Sequence, residues 1–458
     1  MNTTHTCIAL VGLALCSGAA LGQGQPPGEG LVSRAEHEAL RNDLEALWAE
    51  IVALREEREA VQRKADQEAA AQEPTWLELE RMRLRQDMIE QTLLEAKYGE
   101  SNFHFTGFAF TRFTNVEGAD SSFTAVVAPI ILWELSDRLL FETELEFGLE
   151  TEDGEGKTEV ELEYAHASYI LNDYVTLGAG KFLTPFGIFG ERLHPAWINK
   201  LPDAPLAFGH HGGLVPMSSL GAYVRGGFPI GNAKGNYAFY VSNGPSLNVE
   251  GHGVGTLDFE NFDDINNNKA FGGRVGFLPW PEIEIGYSFQ FADVTPSGFD
   301  QQADALLQSI DLSYVTESDL LGGLIDLRFE WVFSDVDDVA FAAEEGGHAD
   351  EGGHAEEEEE GNEAFVTFNN ERSGGYLQLA FRPTKSDIEF LRNLEFVGRY
   401  GWLDLPSGAP DAFDQERWTL GVNYWLNPST VLKIAYEHTQ VDGGDNFDAI
   451  KAMFAIGF

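Results

Sequence analysis

Basic residues are scarce. The 458-residue chain carries 29 Lys+Arg against 75 Asp+Glu, a formal net charge of −46. No basic surplus is left to neutralise phosphates, so nucleic acid is excluded as a partner. Cysteine is nearly absent: Cys7 and Cys16 are the only two. Neither disulfides nor thiol chemistry can serve the rest of the chain. Long apolar runs are missing too. The longest, around Cys7–Cys16, is about half of the roughly 20 residues that a membrane-crossing helix needs. G-x-S-x-G, P-loop, dinucleotide and H-E-x-x-H signatures do not occur, so neither an enzyme nor a cofactor is expected. Yet 43% of residues are hydrophobic, far more than an acidic disordered chain carries.

The first apolar run reads as a signal peptide over residues 1–22. Ile8–Leu15 is its apolar region, and Ala20-Leu21-Gly22 places small residues before a cut at Gln23. A linker, 23–30, follows. Residues 31–97 are rich in Glu, Arg, Leu and Ala. Leu40, Leu44, Leu47, Ile51, Leu54 and Val61 recur in steps of four and three, with Arg58 at one seam position. Such a seam predicts a coiled coil serving as an oligomerisation stalk. The alternative, one amphipathic helix packed on the body, would show a broader apolar face.

From about residue 102 the period changes to two. Leu139, Phe141, Thr143, Leu145, Phe147 and Leu149 alternate with Leu140, Glu142, Glu144, Glu146, Gly148 and Glu150. Val160, Leu162 and Tyr164 alternate with Glu159, Glu161 and Glu163. Ile283, Ile285, Tyr287, Phe289 and Phe291 alternate with Glu282, Glu284, Gly286, Ser288 and Gln290. These are strands with one greasy and one wet face. Sixteen candidates start near Asn102, Phe123, Arg138, Thr158, Tyr174, Ser219, Gly235, Ala270, Glu282, Ala305, Gly322, Gly374, Asn393, Asp414, Thr430 and Phe447.

Short connections (Ser136-Asp137, Asn172-Asp173, Pro279–Pro281, Asn427–Ser429) alternate with long ones at 183–218, 244–269 and 335–373. An even strand number with short turns on one rim and long loops on the other is the pattern of an all-β outer-membrane barrel, here over residues 102–458. A soluble sandwich would not need sixteen outward apolar stripes.

Carboxylates are costly in hydrocarbon, so the glutamate face must line a wet lumen and the aromatic face must meet outer-membrane lipid. Trp133, Tyr169, Trp331, Trp402, Tyr424 and Trp425 are then expected at the interfaces. The last strand, Ile450 to Phe458, ends on an aromatic, which resembles the signal read by the outer-membrane assembly machinery. The lumen-facing acids are Glu142, Glu144, Glu146, Glu159, Glu161, Glu163, Glu282 and Glu284. The lumen-facing bases are Arg274, Arg328, Arg399, Arg417, Lys433 and Lys451, all on later strands. An acidic wall is thus expected opposite a mildly basic one.

Gly178-Ala-Gly-Lys-Phe182 and Pro185-Phe186-Gly187, a long loop, then Gly221, Arg225-Gly226 and Asn243-Gly244, resemble the phosphate-selective porin O and P family. The wider sixteen-stranded porin group is similar over the same body. The resemblance implies a passive channel for small hydrophilic solutes or ions and a trimer of barrels. It implies that 183–218 folds into the pore as a constriction loop, with Pro185, Phe186, Gly187, His210 and His211 in it, and that the stalk is periplasmic. Anion selectivity needs closely spaced bases, and no run of lumen-facing arginine is present. Weak selectivity leaning to cations is therefore expected. The alternatives are an anion-selective porin or a structural anchor tethering the membrane. A hydrolase at the rim, using Ser218, His210 and Asp203, is not required by any spacing.

Residues 335–363 hold 13 carboxylates and no Lys or Arg, with His348 and His354 among them. A solvated acidic loop explains this stretch. A loose metal-capturing segment is the sharper alternative. No compact ligand spacing supports metal there. The same holds for the adjacent His210-His211 and for Asp263-Asp264.

Overall fold

The computed structural model describes residues 49, 50, 52–54, 56–58, 60, 102–152, 155–209, 213–250, 253–260, 268–342, 365–410 and 412–458. Contacts divide the chain into two units, Met1–Ser101 and Asn102–Phe458. In the first unit the described residues, all between 49 and 60, are helical. The signal peptide 1–22, the linker 23–30 and most of the 31–97 stalk lie outside the described residues.

The second unit is a barrel. Its strands are β1 (Phe103–Val116), β2 (Ser122–Ser136), β3 (Leu139–Glu152), β4 (Glu155–Asn172), β5 (Val175–Leu183), β6 (Ser218–Ile230), β7 (Ala233–Asn243) and β10 (Lys269–Trp280). They continue as β11 (Ile283–Asp293), β12 (Asp304–Ser318), β13 (Gly323–Val336), β16 (Asn370–Arg382), β17 (Leu394–Asp404), β18 (Gln415–Asn427), β19 (Thr430–Val441) and β20 (Phe447–Gly457). Two-residue pairs lie in the long loops: β8 (Ser246–Leu247) with β9 (Leu257–Asp258), and β14 (Phe341–Ala342) with β15 (Phe365–Val366). Sixteen strands pair in sequence order, all antiparallel, and β1 closes on β20 from Phe108↔Gly457 to Val116↔Ala449. Closure removes the free edges that an open sheet would expose.

The starts expected from alternation agree with these strands, the largest offset being Gly374 against Asn370. Short turns are made by residues suited to them. Asn172 Oδ1 accepts the Tyr174 amide at 2.9 Å, and Asn427 Oδ1 accepts that of Ser429 at 2.9 Å. Gly231 and Gly322 take left-handed φ values of 61° and 66°, which side chains with a Cβ disfavour.

Burial runs opposite on the two faces. Phe105, Phe123, Phe271, Trp418, Leu420 and Ile434 are exposed outward, whereas Ser288, Gln290, Asp311, Glu330, Asn423 and Lys433 are buried within. An outward apolar face on this scale is unsuited to water. The largest hydrophobic cluster lies inside the barrel at its long-loop end. It joins Phe186, Phe189, Phe208, Leu214, Phe341, Phe368 and Tyr376. The lumen is therefore partly filled.

Two faces depart from strict alternation. β3 and β4 slip by one residue between Glu144↔Tyr164 and Leu145↔Leu162. Glu163 is the extra residue, and beyond it the phase inverts. Tyr164 consequently lines the lumen beside His166, not the lipid face. Trp425 also turns inward: it is buried, and its Nε1 donates to Glu395 Oε2 at 3.1 Å. It does not belong to an outer girdle.

Candidate channel constriction

The segment between β5 and β6 crosses the lumen. Thr184 leaves the wall through a hydrogen bond to Ser219 Oγ at 2.7 Å. Pro185-Phe186-Gly187 then turns inward, with Gly187 at φ 66°. Its amide donates to Ser288 Oγ at 2.9 Å. The next two amides, Ile188 and Phe189, donate to Glu330 Oε1 and Oε2, both at 3.1 Å. A Cβ at position 187 would overlap Glu330 Oε1, so the backbone approaches this carboxyl only because the residue is glycine. A helical turn, Phe189–Leu193, follows.

The rest of the segment is clasped to the far wall. On β19, Lys433 Nζ donates to Ala196 O at 2.5 Å and to Asn199 O. Asn423 Nδ2 on β18 donates to Lys200 O at 2.8 Å, and Lys200 Nζ meets Glu395 Oε1 on β17 at 2.6 Å. Arg399 donates to Asp203 O at 2.8 Å and to Asn199 Oδ1 at 2.9 Å. Asp203 is bound by Arg112 Nη1 of β1 at 2.9 Å and by Lys451 of β20. Burial pushes the Asp203 carboxyl up, but Lys451 and Arg112 outweigh it and hold the group below the usual carboxylate range. Apolar contacts complete the seat: Phe208 meets Tyr376 edge-on at 5.5 Å, and Leu201 packs with Ala380, Val397 and Ala435.

Space is left toward β4–β7 and also between the segment and β13–β18, where a cavity of about 290 Å³ is lined by Phe189, Trp197, Lys200, Asp326, Arg328 and Arg399. Toward β4–β7, near the long-loop end, a first cavity of about 330 Å³ touches Glu161, Glu163 and Arg372. Beside it on β4, a second of about 340 Å³ is lined by Glu142, Tyr164, His166, Tyr223, Arg192 and Arg225. A third of about 220 Å³ shares Glu191, Arg192 and Arg225 and reaches Thr176 and Tyr237 toward the short turns. Ions pair across this waist. Arg192 Nη1 lies 2.8 Å from Glu284 Oε2, Arg225 meets Glu191, and Arg274 bridges Glu284 at 2.9 Å and Asp311 at 2.6 Å. Such pairs hold side chains in fixed positions while leaving little net charge at the waist.

The acids expected in the lumen are placed as follows. Glu142 lies 3.7 Å from His166 Nε2 in the middle cavity. Glu144 and Glu163 are buried, Glu146 is half-buried, and Glu159 is exposed. Glu161 lies 3.7 Å from Lys181 Nζ. Glu282 is a correction: it sits exposed in the β10–β11 turn, because the strand begins only at Ile283.

The six expected bases all face inward, but they form no open basic wall. Arg328 is 2.5 Å from Asp326, and Arg417 Nε donates to Thr439 Oγ1 at 2.9 Å. Arg274 is held by acids, Lys451 by acids of the wall and the clasped segment, and Arg399 and Lys433 by its carbonyls. Pro185, Phe186 and Gly187 lie at the entry of the segment into the lumen. His210, His211, His348 and His354 lie outside the described residues. Among the described residues no three His, Cys, Asp or Glu side chains are grouped as metal ligands.

Sequence reasoning missed Glu330, Glu395, Glu437 and Asp311, the acids that anchor this machinery. The signal for three of them was present. Glu330 is in phase with Arg328, Glu395 with Arg399, and Glu437 with Lys433, so the same alternation that gave the bases placed these acids among them. Arg192, Lys200 and Arg112 carried no such signal, because their roles depend on where the loop lands.

No protein-family model matches the chain, and no curated protein matches it. Solved structures match in fold. OprB of Pseudomonas putida, in a high-pH structure, gives a TM-score of 0.50 at 11% identity, covering 81% of this chain and 97% of that one. The outer membrane channel DcaP of Acinetobacter baumannii gives 0.48 at 9% identity, with 78% and 97% covered. OmpF of Salmonella typhi, in complex with daunomycin, gives 0.48 at 11% identity, with 78% and 97% covered. The likeness to OprB is one of fold: a porin-like barrel.

Proposed function

We propose that the chain is an outer-membrane porin that lets small hydrophilic solutes and ions diffuse passively through its lumen. One observation carries this reading. The 183–218 segment is seated against β11–β20 and β1 by buried polar contacts, leaving polar cavities in succession toward β4–β7 and a further cavity against β13–β18. A fixed inward loop beside a wet wall is a size filter, and it needs no energy source. The outward apolar face supports seating in lipid. A trimer of barrels and a periplasmic coiled-coil stalk belong to the same proposal, as does the absence of covalent chemistry.

Selectivity is proposed to be weak and to lean to cations. At the waist each arginine has a carboxylate partner, so no basic ladder is left to strip and hold phosphate. The β3–β4 wall adds Glu142, Glu144, Glu146, Glu159, Glu161 and Glu163. The test is current across planar bilayers holding the purified protein. Stepwise conductance in KCl, with a reversal potential of cationic sign, supports the reading. A silent barrel would favour the structural anchor. Strong block by inorganic phosphate, with a reversal potential of anionic sign, would favour an anion-selective porin.

A further inference from the structure

Arg372 lies near the long-loop end of β16 and is only 6% exposed. Its Nε donates to Asn370 Oδ1 at 3.1 Å, and Asn370 is itself fixed by donating to Gly255 O at 2.9 Å. Its Nη2 has no hydrogen-bond partner, and among the described residues no carboxylate pairs with the guanidinium. The other buried bases of the lumen are satisfied: Arg274 by Asp311 and Glu284, Arg399 and Lys433 by carbonyls, Lys451 by Asp203 and Glu437. A buried guanidinium without a counter-charge is strongly disfavoured unless something supplies one.

Arg372 also lines the outer cavity of about 330 Å³, shared with Glu161, Glu163, Asp258 and Glu260. That volume is at the small end of the roughly 300–1,000 Å³ of ligand pockets. A simple anion would pair with Arg372 but meet the carboxylates. A simple cation would suit the four carboxylates, of which Glu161 already has Lys181 Nζ at 3.7 Å, but leave Arg372 bare. A solute carrying both charges satisfies both.

Resting on the channel reading, we propose that this cavity is a docking site for small zwitterions, of free amino acid or short peptide size. The ligand carboxylate pairs with Arg372 through Nη1, because Nη2 is sealed beside Gly255, and its ammonium lies against Glu161 and Glu163. Asn248, Thr256 and Ser334 supply neutral hydrogen-bonding groups around it. Docking at the long-loop rim concentrates such solutes ahead of the waist.

The test is a saturation-transfer NMR titration of glycylglycine against the detergent-solubilised full-length protein. This readout does not depend on conduction, so a failure to conduct KCl would overturn the channel reading and leave the docking result standing. The expected result is saturable binding of glycylglycine. N-acetylglycine, which lacks the amine charge, and glycinamide, which lacks the carboxylate, should bind at least tenfold more weakly. Arg372→Gln should weaken glycylglycine at least tenfold, and Glu161→Gln severalfold. Glu161 is half-exposed, so the second variant tests the site even if the first misfolds. The proposal is overturned if glycylglycine does not bind, if N-acetylglycine binds as tightly, or if both variants bind like wild type.

Discussion

Replacing Glu330 with glutamine would separate the shape of this side chain from its chemistry. Both carboxyl oxygens accept a loop amide, from Ile188 and Phe189, each at 3.1 Å. Glutamine fills the same space but offers one oxygen and one NH₂. One loop amide must then face another donor in a buried setting. Leaving a buried donor unpaired costs about 1–3 kcal/mol. At 1.4 kcal/mol per tenfold, detached loop should become roughly five- to a hundred-fold more populated. Glu330→Ala leaves both donors bare and should cost roughly twice as much by the same rule. The strand pairing of β13 does not use this side chain, so the barrel itself should persist, as heat-modifiable gel mobility would check. Single-channel recording reads the loop: excess open-channel noise and larger conductance substates should appear in Glu330→Gln, and more so in Glu330→Ala. Wild-type step size and noise in both variants would refute the claim that this carboxyl holds the constriction.

Three further outcomes are expected. Gly187→Ala should mimic Glu330→Ala in channel noise, because the new Cβ meets Glu330 Oε1 and the φ of 66° disfavours it. Asp203 titrates below its ordinary value when folded, so its clasp is complete above the unfolded pKa of about 3.9 and is lost as pH falls through the lower folded value. Asp203→Asn should therefore be noisier than wild type at neutral pH, and the two should converge only in stronger acid; equal noise at neutral pH would contradict this. Joint replacement of Glu142, Glu146 and Glu161 by glutamine should move the reversal potential in a KCl gradient toward zero. An unchanged potential would mean that these acids do not set the selectivity.

How much of this was legible depended on range. Period-two alternation is local, so the strands and most of their faces could be read directly, down to Asn172 and Asn427 at the turns. The bulge at Glu163 could not be read, because an extra residue is defined only against the partner strand. Its cost was the misplacement of Tyr164. Trp425 was misjudged for a related reason: an aromatic near a strand end suits an interface, but Glu395 on the neighbouring strand gives its N–H a better partner inside. The inward course of 183–218 came from resemblance. Its seat on Glu330, Lys433 and Lys451 joins residues more than a hundred positions apart, and no local pattern encodes such contacts. Arg372 was invisible for a different reason. A lone arginine is unremarkable until its neighbours are known to leave it unpaired.

The central claim is that neighbouring residues of one strand look alternately onto water inside and lipid outside. Glu146 faces the lumen and is half-buried, whereas Phe147 is exposed outward. With Cys7 and Cys16 changed to serine, single cysteines at positions 146 and 147 can be tested in bilayers with a charged, membrane-impermeant thiol reagent. Modification at 146 should lower conductance in steps, and position 147 should remain unlabelled until detergent is added. Labelling at 147 without any conductance step at 146 would contradict the account.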